Sequence, residues 1–403
     1  MPAKSINNLA KNVTLLSIAA CPHNAFSQHT EYMKPFVPTL LPLEKIDWAS
    51  HVSKMGEANR ALAHYDGLLQ GIPEPSVLLS PLTTHEAVLS SQIEGTRATL
   101  GEVLKFDAGE DVHEEGRKQD IDEIVNYRSA LRFAEKALLE RPFTISFMKE
   151  LHALLLDSVR GRNKTPGKVR ETQNWIGSPG STIEQAAFIP PPPSMLNDFL
   201  ENWEKFYASE QPDPMVQLSI IHAQFEILHP FNDGNGRLGR MLIPLFLHGR
   251  GILSSPMFYL SSYLEAHRDA YIENLRQIGT SEDSWDRWIS FFLSAIIYQA
   301  KENTEKVHKI MKLYSDMKEE ILRLTNSKYS IPILDEIFSK PVFNTNALLA
   351  TESAPSKPIL LKILKVLIDA NRISFLSKGR GPIPARYIFP ELINICEGRR
   401  LFH

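Results

Sequence analysis

Helical periodicity is the feature that most constrains the fold of this chain. From about Ile46, apolar side chains recur at three- and four-residue spacing, as in the run Ala58, Leu62, Tyr65 and Leu69. This is the spacing of residues on one face of an α-helix. The same period returns over residues 121–139, 145–159, 214–228, 237–248, 265–277 and 284–324. The pattern therefore predicts a mainly α protein.

One long stretch interrupts the helical pattern. Residues 160–193 are rich in glycine and proline, which excludes a long helix there. Within the stretch, Trp175 and Ile176 could pair with Phe188 and Ile189 as a short β-hairpin. A long irregular segment in a compact helical chain is usually functional or disordered. Its aromatic and β-branched residues favour a function.

The second predicted helix, over about residues 80–95, has clear end signals. Ser80 is a candidate N-cap, and Pro81 at the first helical position loses no hydrogen bond. Gly95 can supply the left-handed residue that ends a helix. These signals predict a helix from Pro81 to Glu94. Because Ser90 and Glu94 are four residues apart, we expect them to share one face.

Composition limits the class of protein. A chain of 403 residues is too long for one ordinary core, and 43% hydrophobic with 23% charged residues is typical of a globular protein. The net charge of -3 provides no general attraction for nucleic acid or an anionic membrane. The best apolar run, residues 288–298, is too short to span a membrane. Two cysteines, Cys21 and Cys396, exclude a disulfide scaffold and favour a reducing, cytoplasmic location.

The N-terminus permits a second interpretation. Lys4 and Lys11 precede a short apolar stretch, residues 13–20, and then Cys21, in a pattern that loosely imitates a signal peptide with a lipid-attachment cysteine. The apolar stretch is minimal, and a polar residue directly precedes it. We therefore predict a disordered extension over residues 1–32, with export as the alternative.

The strongest local signal is the twelve-residue stretch from His229 to Arg240, His-Pro-Phe-Asn-Asp-Gly-Asn-Gly-Arg-Leu-Gly-Arg. A histidine ends one predicted helix, and a turn with two glycines opens the next. The backbone N–H groups of Gly234, Asn235 and Gly236 would then lie at a helix N-terminus. Such a position binds anions through free amides and the positive end of the helix dipole.

The side chains of this stretch add further chemistry. Arg237 and Arg240, three residues apart, can reach one side of the helix and would suit a polyphosphate. Asp233 can hold Mg²⁺ beside phosphate oxygens, and His229 can accept a proton near neutral pH. The alternative is an ordinary Gly/Asn turn between core helices with two solvated arginines. A turn alone does not require all four of these side chains together.

The stretch resembles the full signature of Fic-domain proteins, His-Pro-Phe-x-Asp/Glu-Gly-Asn-Gly-Arg-x-x-Arg, at every specified position. Such enzymes typically transfer AMP from ATP to a hydroxyl side chain of a target protein. The resemblance implies that His229 is the base, that Asp233 holds Mg²⁺, that Gly234, Asn235 and Gly236 surround the α-phosphate, and that Arg237 and Arg240 bind the outer phosphates, with Arg240 nearest the γ-phosphate.

A second resemblance concerns regulation. The run from Ser90 to Gly95, Ser-Ser-Gln-Ile-Glu-Gly, is similar to the Fic inhibitory motif Ser/Thr-x-x-x-Glu-Gly/Asn. It implies an ion pair between Glu94 and Arg240 that takes the guanidinium needed by the γ-phosphate, with Ser90 helping to fix the helix. Taken alone the motif is weak, because Ser-x-x-x-Glu is also common on exposed helices.

Two further segments resemble Fic proteins with less specificity. Residues 168–191 look like the flap that docks a target segment as an added strand, with Trp175, Ile176, Phe188 and Ile189 as its side chains; the alternative is an ordinary surface loop. The residues that resemble the nucleobase pocket are Arg268, Tyr271 and Leu275, with Ile272 where some relatives carry a second tyrosine. Core packing of Tyr271 is the alternative. His222, on the preceding helix, is expected to be a core or capping histidine.

The tail resembles a winged helix-turn-helix. Two short helical patterns, residues 333–338 and 356–370, lead into strand-like runs at 373–376 and 387–389. If this unit binds DNA, its basic side chains would contact phosphates: Lys357, Lys362, Lys365, Lys378, Arg380 and Arg386. The apolar recognition segment, residues 358–361, instead favours contact with protein.

Together these observations predict a mainly α fold: a Fic-type helical core with a short β-hairpin flap and a C-terminal winged helix-turn-helix. The expected units are the extension, an N-terminal helical segment at 33–115 with the inhibitory helix 81–94, a catalytic core at 116–324 and a tail at 330–403. The predicted activity is self-inhibited, Mg²⁺-dependent transfer of AMP from ATP to Ser, Thr or Tyr of target proteins and of the chain itself. The alternatives are removal of AMP by the same site and a nucleotide-sensing, DNA-binding transcription regulator. No membrane partner is expected, and a homodimer is left open.

Overall fold

The computed structural model describes residues 34–158, 162–178, 180–379 and 384–401. The predicted extension at 1–32, Cys21 and the predicted DNA contact Arg380 lie outside these residues. The domain limits given above stay predictions.

The described part of the chain is mainly helical, as the periodicity predicts. Its α-helices are α1 (Trp48–Gln70), α2 (Pro75–Leu78), α3 (Ser80–Ile93), α4 (Leu100–Asp107), α5 (Glu115–Ala137), α6 (Ile145–Leu155), α7 (Leu196–Ala208), α8 (Pro214–Leu228), α9 (Asn235–Gly249), α10 (Ser261–Ala266), α11 (Arg268–Gln277), α12 (Ser284–Thr325), α13 (Ser330–Ser339), α14 (Thr345–Leu349), α15 (Lys357–Asp369) and α16 (Pro390–Glu397). Short 3₁₀ turns lie at Arg162–Lys164, Ile183–Gln185 and Pro193–Met195. Across the described ranges, no helix combines the length and the apolar character needed to cross a membrane.

Helix α3 carries the predicted inhibitory segment but starts differently from the prediction. Ser80 is its first helical residue and Leu79 is the N-cap, so the assignment of Ser80 as the capping residue is wrong. No side chain caps the start of α3. The backbone carbonyl of Leu79, just after α2, accepts the N–H of Leu82 at 2.9 Å instead. Gly95 has a φ of 97°, which confirms the predicted left-handed residue at the other end.

Helices α4 and α7 lie where no helix was predicted. Helix α4 begins with a capping box, in which Thr99 and Glu102 each bond to the backbone of the other. Its Thr-x-x-Glu pattern was therefore readable in the sequence. The predicted helix over residues 265–277 is instead two helices, α10 and α11, separated at His267.

Helices α8 and α9 form the centre of the molecule. Every residue from Met215 to Leu228 in α8 is buried, and so is every residue from Asn235 to Leu247 in α9. Such all-round burial marks a core helix. Helix α8 packs against α1, α7, α9 and α12, while α9 also contacts α3, α5 and α6. The turn between α8 and α9 is therefore held by packing on several sides.

The predicted flap hairpin is reduced to one bridge. Ile176 pairs antiparallel with Phe188, with N–H···O distances of 2.8 and 3.1 Å. The ladder cannot extend past Ile189, because residues 190–193 are prolines and offer no backbone donor.

The C-terminal part holds a three-stranded antiparallel sheet in the order β1 (Val342–Asn344), β3 (Arg386–Ile388), β2 (Ser374–Ser377). Strands β2 and β3 match the predicted strand-like runs, whereas β1 and α14 were not predicted. The assignment as a winged helix stays a prediction.

The sheet contacts the end of α4. The Asn344 side chain donates to the carbonyl of Ala108 at 3.0 Å. Arg386, one of the predicted DNA contacts, donates to the carbonyl of Gly109 and lies 3.8 Å from the Glu110 carboxylate. This arginine is thus engaged within the chain.

Candidate active site

His229 lies where α8 stops. It has φ 44° and ψ 57°, a left-handed conformation, and only 4% of its surface is exposed. The next residue, Pro230, has no N–H with which to continue the helix. The Glu226 carbonyl, which would otherwise accept that N–H, raises the pKa of the nearby His229 ring. The end of α8 therefore fixes the backbone that carries the buried imidazole.

The pKa of His229 is lowered to about 4. Burial is the main cause, and the Arg170 cation acts in the same direction. The Glu226 carbonyl and the Asp233 carboxylate raise the pKa, but by less than burial and Arg170 lower it. The ring is consequently neutral at physiological pH, which is the state that accepts a proton.

The turn after His229 is closed by side chains of the same stretch. Asn235 accepts the Phe231 N–H at 2.9 Å and donates to the Phe231 carbonyl at 2.8 Å. Gly234, the N-cap of α9, has a φ of 74°, and a Cβ there would lie 3.3 Å from Leu156. This position favours glycine for both reasons. The amide of Gly234 donates to Asp233 Oδ1 at 2.6 Å.

Glu94 lies at the head of α9. A Cβ added to Gly236 would come within 2.1 Å of Glu94 Oε1 and 2.9 Å of Arg240 Nη1. The first amides of a helix have no partner within the helix. The carboxylate therefore lies at the helix end that the sequence predicts as an anion site.

Arg240 holds this carboxylate through a buried ion pair. Its Nη2 lies 2.7 Å from Glu94 Oε1 and also donates to the Ser90 carbonyl at 2.7 Å, while Nε donates to Ser90 Oγ at 2.9 Å. Burial lowers the pKa of Arg240, but Glu94, Tyr271 and Glu226 together outweigh it and raise that pKa. The predicted ion pair is present, and Ser90 binds the arginine directly. Its inhibitory effect stays a prediction.

Arg237 contacts a different helix. Its Nη1 lies 2.8 Å from Glu123 Oε2 on α5, and its Nη2 lies 3.5 Å from Asp233 Oδ1. The two arginines were expected to reach one side of α9, whereas here Arg240 pairs with α3 and Arg237 with α5. Glu123 was not predicted, because it is 114 residues away in the chain. Phosphate binding by Arg237 stays a prediction.

His152 supports the turn from α6 and was also not predicted. Its ring stacks on Phe231 with centroids 3.8 Å apart. Nδ1 accepts the Gly167 N–H at 2.8 Å, so Nε2 carries the proton and donates to the Asp233 carbonyl at 2.9 Å. Burial lowers the pKa of His152 to about 4, which keeps the ring neutral.

Asp233 is the residue that could hold a metal. Its side chain is 25% exposed. Within the described ranges no cluster of three or more His, Cys, Asp or Glu side chains could ligate a metal ion. Mg²⁺ commonly takes only one or two protein carboxylates and completes its shell with water and substrate phosphates. A single accessible carboxylate at the head of α9 fits that donor set.

A cavity of about 50 Å³ lies beside the ion pair. Tyr271, Ile272 and Leu275 line it from α11, and Ile176 and Phe188 line it from the flap. Glu94, Glu226 and Arg240 form the rest of its charged lining, so the ion pair is part of the cavity wall. The predicted pocket residues Tyr271 and Leu275 thus meet two predicted flap residues.

The remaining predicted residues lie elsewhere. Arg268 donates to the Ile93 carbonyl at the end of α3 and does not line the cavity. The Trp175 indole donates to the Ser181 carbonyl within the flap. Ile189 is buried, and its carbonyl accepts the Phe36 N–H.

Two more buried side chains adjoin the site: His222 contacts Tyr271, and Glu226 lines the cavity. His222, as expected for a core histidine, donates from Nδ1 to the Gly239 carbonyl at 3.1 Å and accepts the Tyr271 hydroxyl at Nε2, 2.9 Å away. Glu226 was not predicted. It lies against Gly239, and burial raises its pKa to about 8.

Comparison with known proteins identifies the family. Residues 52–136 match the Fic/DOC family N-terminal profile, which contains the Ser90 to Gly95 motif, and residues 142–247 match the Fic/DOC family profile, which contains the His229 to Arg240 stretch. Residues 52–136 and 142–247 are thus the two domains of the Fic/DOC family.

Relatives of this chain are about a quarter identical to it over the matched residues. The probable protein adenylyltransferase of Aquifex aeolicus is 26% identical over 258 residues, covering 60% of this chain and 74% of the relative. Protein adenylyltransferase fic-1 of Caenorhabditis elegans is 25% identical over 246 residues, covering 53% of this chain and 45% of the relative. The chain thus spans less than half the length of the nematode relative.

Solved structures agree on the fold. A Fic family protein from Desulfovibrio desulfuricans superposes with a TM-score of 0.55 at 18% identity, covering 88% of this chain and 98% of that one. A Fic domain containing signaling protein from Bacteroides thetaiotaomicron superposes with a TM-score of 0.50 at 19% identity, covering 62% of this chain and 97% of that one. The fold is therefore that of Fic proteins.

Proposed function

We propose that this chain is a Fic-type protein adenylyltransferase, which transfers AMP from ATP to a hydroxyl side chain of a target protein. Relatives named protein adenylyltransferases support the enzyme class. The observation that carries the proposal is the position of Glu94. Its carboxylate lies over Gly236 at the head of α9 and is held by Arg240, so this helix end already accommodates an anion.

In the proposed reaction, His229 accepts the proton of the target hydroxyl. The hydroxyl oxygen forms a bond to the α-phosphorus of ATP, the bond from that phosphorus to the bridging oxygen breaks, and pyrophosphate leaves. The amides at the start of α9 and the Arg240 guanidinium stabilise the negative charge of the phosphates. Asp233 would hold Mg²⁺, which supplies further charge neutralisation. Positioning and charge stabilisation are the main means of catalysis in transfers of this kind.

Glu94 would make the enzyme self-inhibited. Arg240 is 2% exposed, and its guanidinium bonds to Ser90 on α3 and to Glu94 at the C-terminal end of that helix. A γ-phosphate could pair with Arg240 only after the Glu94 carboxylate has moved away. The cavity beside the pair supports the same conclusion, because Glu94 and Arg240 both form part of its wall.

The target would dock at the flap. The single bridge between Ile176 and Phe188 leaves the flap an extended segment to which another strand can add. We propose Ser, Thr or Tyr hydroxyls as acceptors, including those of the chain itself. Cytoplasmic location, a homodimer and DNA binding by the C-terminal part remain predictions.

A second candidate is removal of AMP from modified proteins by the same site. One observation favours it: Glu94 reaches Arg240 through Oε1, and its carboxylate lines a cavity with room for water. Glu94 could there orient a water molecule for attack on a phosphodiester.

Mass spectrometry of purified protein incubated with ATP and Mg²⁺ separates these candidates. We expect a mass increase of one AMP in Glu94→Gly, little in wild type, and none when His229→Ala is added to Glu94→Gly. Glu74→Gly, which removes an exposed carboxylate at the N-cap of α2, is the control. Wild-type protein that strips AMP from a pre-modified sample would favour removal. No AMP adduct on any variant would refute the transfer.

A further inference from the structure

Side chains at the root of the flap bind the backbone of the catalytic turn. Arg170 and Asn174 lie where the flap leaves the core, and His229 and Phe231 lie in the turn between α8 and α9. The segments are more than 50 residues apart in sequence, with separations of 59 and 55 residues for the two contacts to His229. Bonds between them therefore fix two loops that the chain itself does not hold together.

Arg170 is the centre of this contact. Its Nε donates to the His229 carbonyl at 3.0 Å, and its Nη2 donates to the Pro191 carbonyl at 2.6 Å and the Leu228 carbonyl at 3.4 Å. Its own N–H donates to the Pro230 carbonyl at 2.9 Å. The side chain is 2% exposed. One guanidinium thus joins the outgoing flap arm, the returning arm at Pro191 and the end of α8.

Asn174 adds a second attachment on the same turn. Its Nδ2 lies 3.2 Å from the Phe231 carbonyl and 3.4 Å from the His229 carbonyl. The Phe231 carbonyl also accepts from Asn235 at the start of α9. The flap root, the catalytic histidine and the head of α9 therefore share hydrogen-bond acceptors.

Gln173, between these two residues, makes different bonds. Its Nε2 donates to the carbonyls of Asn174 and Pro190, at 3.0 and 2.9 Å. Both acceptors belong to the flap. The chain thus offers a matched control, a neighbouring amide that binds the flap to itself and not to the turn.

We propose that Arg170 and Asn174 are positioning residues that fix the flap relative to His229, so that a hydroxyl docked on the flap meets the base at reacting distance. This inference rests on the proposed transfer of AMP. Small misplacements of reacting groups cost large factors in rate, and loops without such attachments move independently. The flap side chains would fix where a target segment docks. Arg170 and Asn174 would then fix the distance between the docked hydroxyl and the His229 imidazole.

The test compares transfer to protein with release of AMP to water, since water needs no flap. All variants carry Glu94→Gly, and a chain carrying His229→Ala serves as the acceptor protein. We expect Asn174→Ala to lower kcat for transfer to protein by about tenfold to a hundredfold. KM for ATP and the rate of AMP release to water should each stay within about twofold. Gln173→Ala should keep both rates within about twofold.

Arg170→Lys keeps the buried positive charge, but its single ammonium cannot span the separated carbonyls that the planar guanidinium reaches. It should therefore also lower transfer to protein more than release of AMP to water. Bound nucleotide per chain and the melting temperature show whether each variant is folded. Equal losses of transfer to protein and release to water would mean a general structural role and would overturn the inference. If Glu94→Gly alone delivers AMP to neither protein nor water, the proposed function itself fails.

Discussion

Removal of the Glu94 carboxylate should strengthen ATP binding by a predictable amount. Glu94→Ala is the cleanest change, because Glu94 has φ −86° and ψ 1°, which alanine adopts without strain. The variant breaks one charge-assisted hydrogen bond of 2.7 Å, between side chains that are 1% and 15% exposed. Such a bond contributes about 1.5–3 kcal/mol. That energy corresponds to roughly a 10- to 150-fold change in a dissociation constant.

The assay is isothermal titration calorimetry with ATP and Mg²⁺, with His229→Ala present in every sample to prevent turnover. We expect Glu94→Ala to bind ATP about 10- to 150-fold more tightly than the protein that keeps Glu94. Glu94→Gln, which keeps the shape but loses the charge, should lie between the two, since its amide oxygen still accepts from Arg240 but no longer attracts it as an opposite charge. Equal affinities within about twofold would refute the argument that Glu94 competes with the γ-phosphate for Arg240.

Three further predictions use other features of the site. Gly236→Ala should lower the melting temperature by a few degrees, measured by thermal unfolding, because its Cβ would lie 2.1 Å from Glu94 Oε1 and would displace this carboxylate from Arg240; an unchanged melting temperature would contradict this close approach. The activated enzyme should show no loss of transfer rate between pH 8 and pH 5, because the pKa of His229 is about 4 and the base acts unprotonated; a pH–rate profile with an acid limb near pH 6.5 would argue against this. Glu226→Gln should stabilise the protein more at pH 8 than at pH 5. The raised pKa of this carboxyl, about 8, costs stability that grows as pH rises from the unfolded pKa of 4.5 towards 8, and the cost at pH 8 exceeds that at pH 5 by on the order of 3 kcal/mol. Urea unfolding at the two pH values measures the difference, and equal stabilisation at both would speak against a protonated Glu226.

Local chemistry explains what the sequence predicted well. Pro214 begins α8 at the predicted residue, and Pro230 and the left-handed His229 end it where the motif places the histidine. Such helix ends depend on neighbours in the chain, and short-range rules apply to them. The Glu94–Arg240 pair joins residues 146 positions apart and was expected only from the resemblance to two Fic motifs.

Long-range partners were not predictable in the same way. Glu123, Arg170 and His152 reach the catalytic turn from other segments, and no motif marks them. Arg237 is an example. Its spacing from Arg240 indicated a shared ligand, whereas in the structure it binds the Glu123 carboxylate on α5. The prediction of an N-cap at Ser80 was wrong for a related reason, because the backbone carbonyl of Leu79 accepts the first N–H groups of the helix. Tertiary context overrides local preference in both cases.

The most direct test of the account is a crystal structure of the Glu94→Gly, His229→Ala double variant with ATP and Mg²⁺. We predict that the triphosphate lies at the head of α9, with its γ-phosphate on Arg240 and the position of residue 229 beside the α-phosphate. Density for the triphosphate at any other place, or at the head of α9 without Arg240, would contradict the claim that Glu94 occupies the phosphate site.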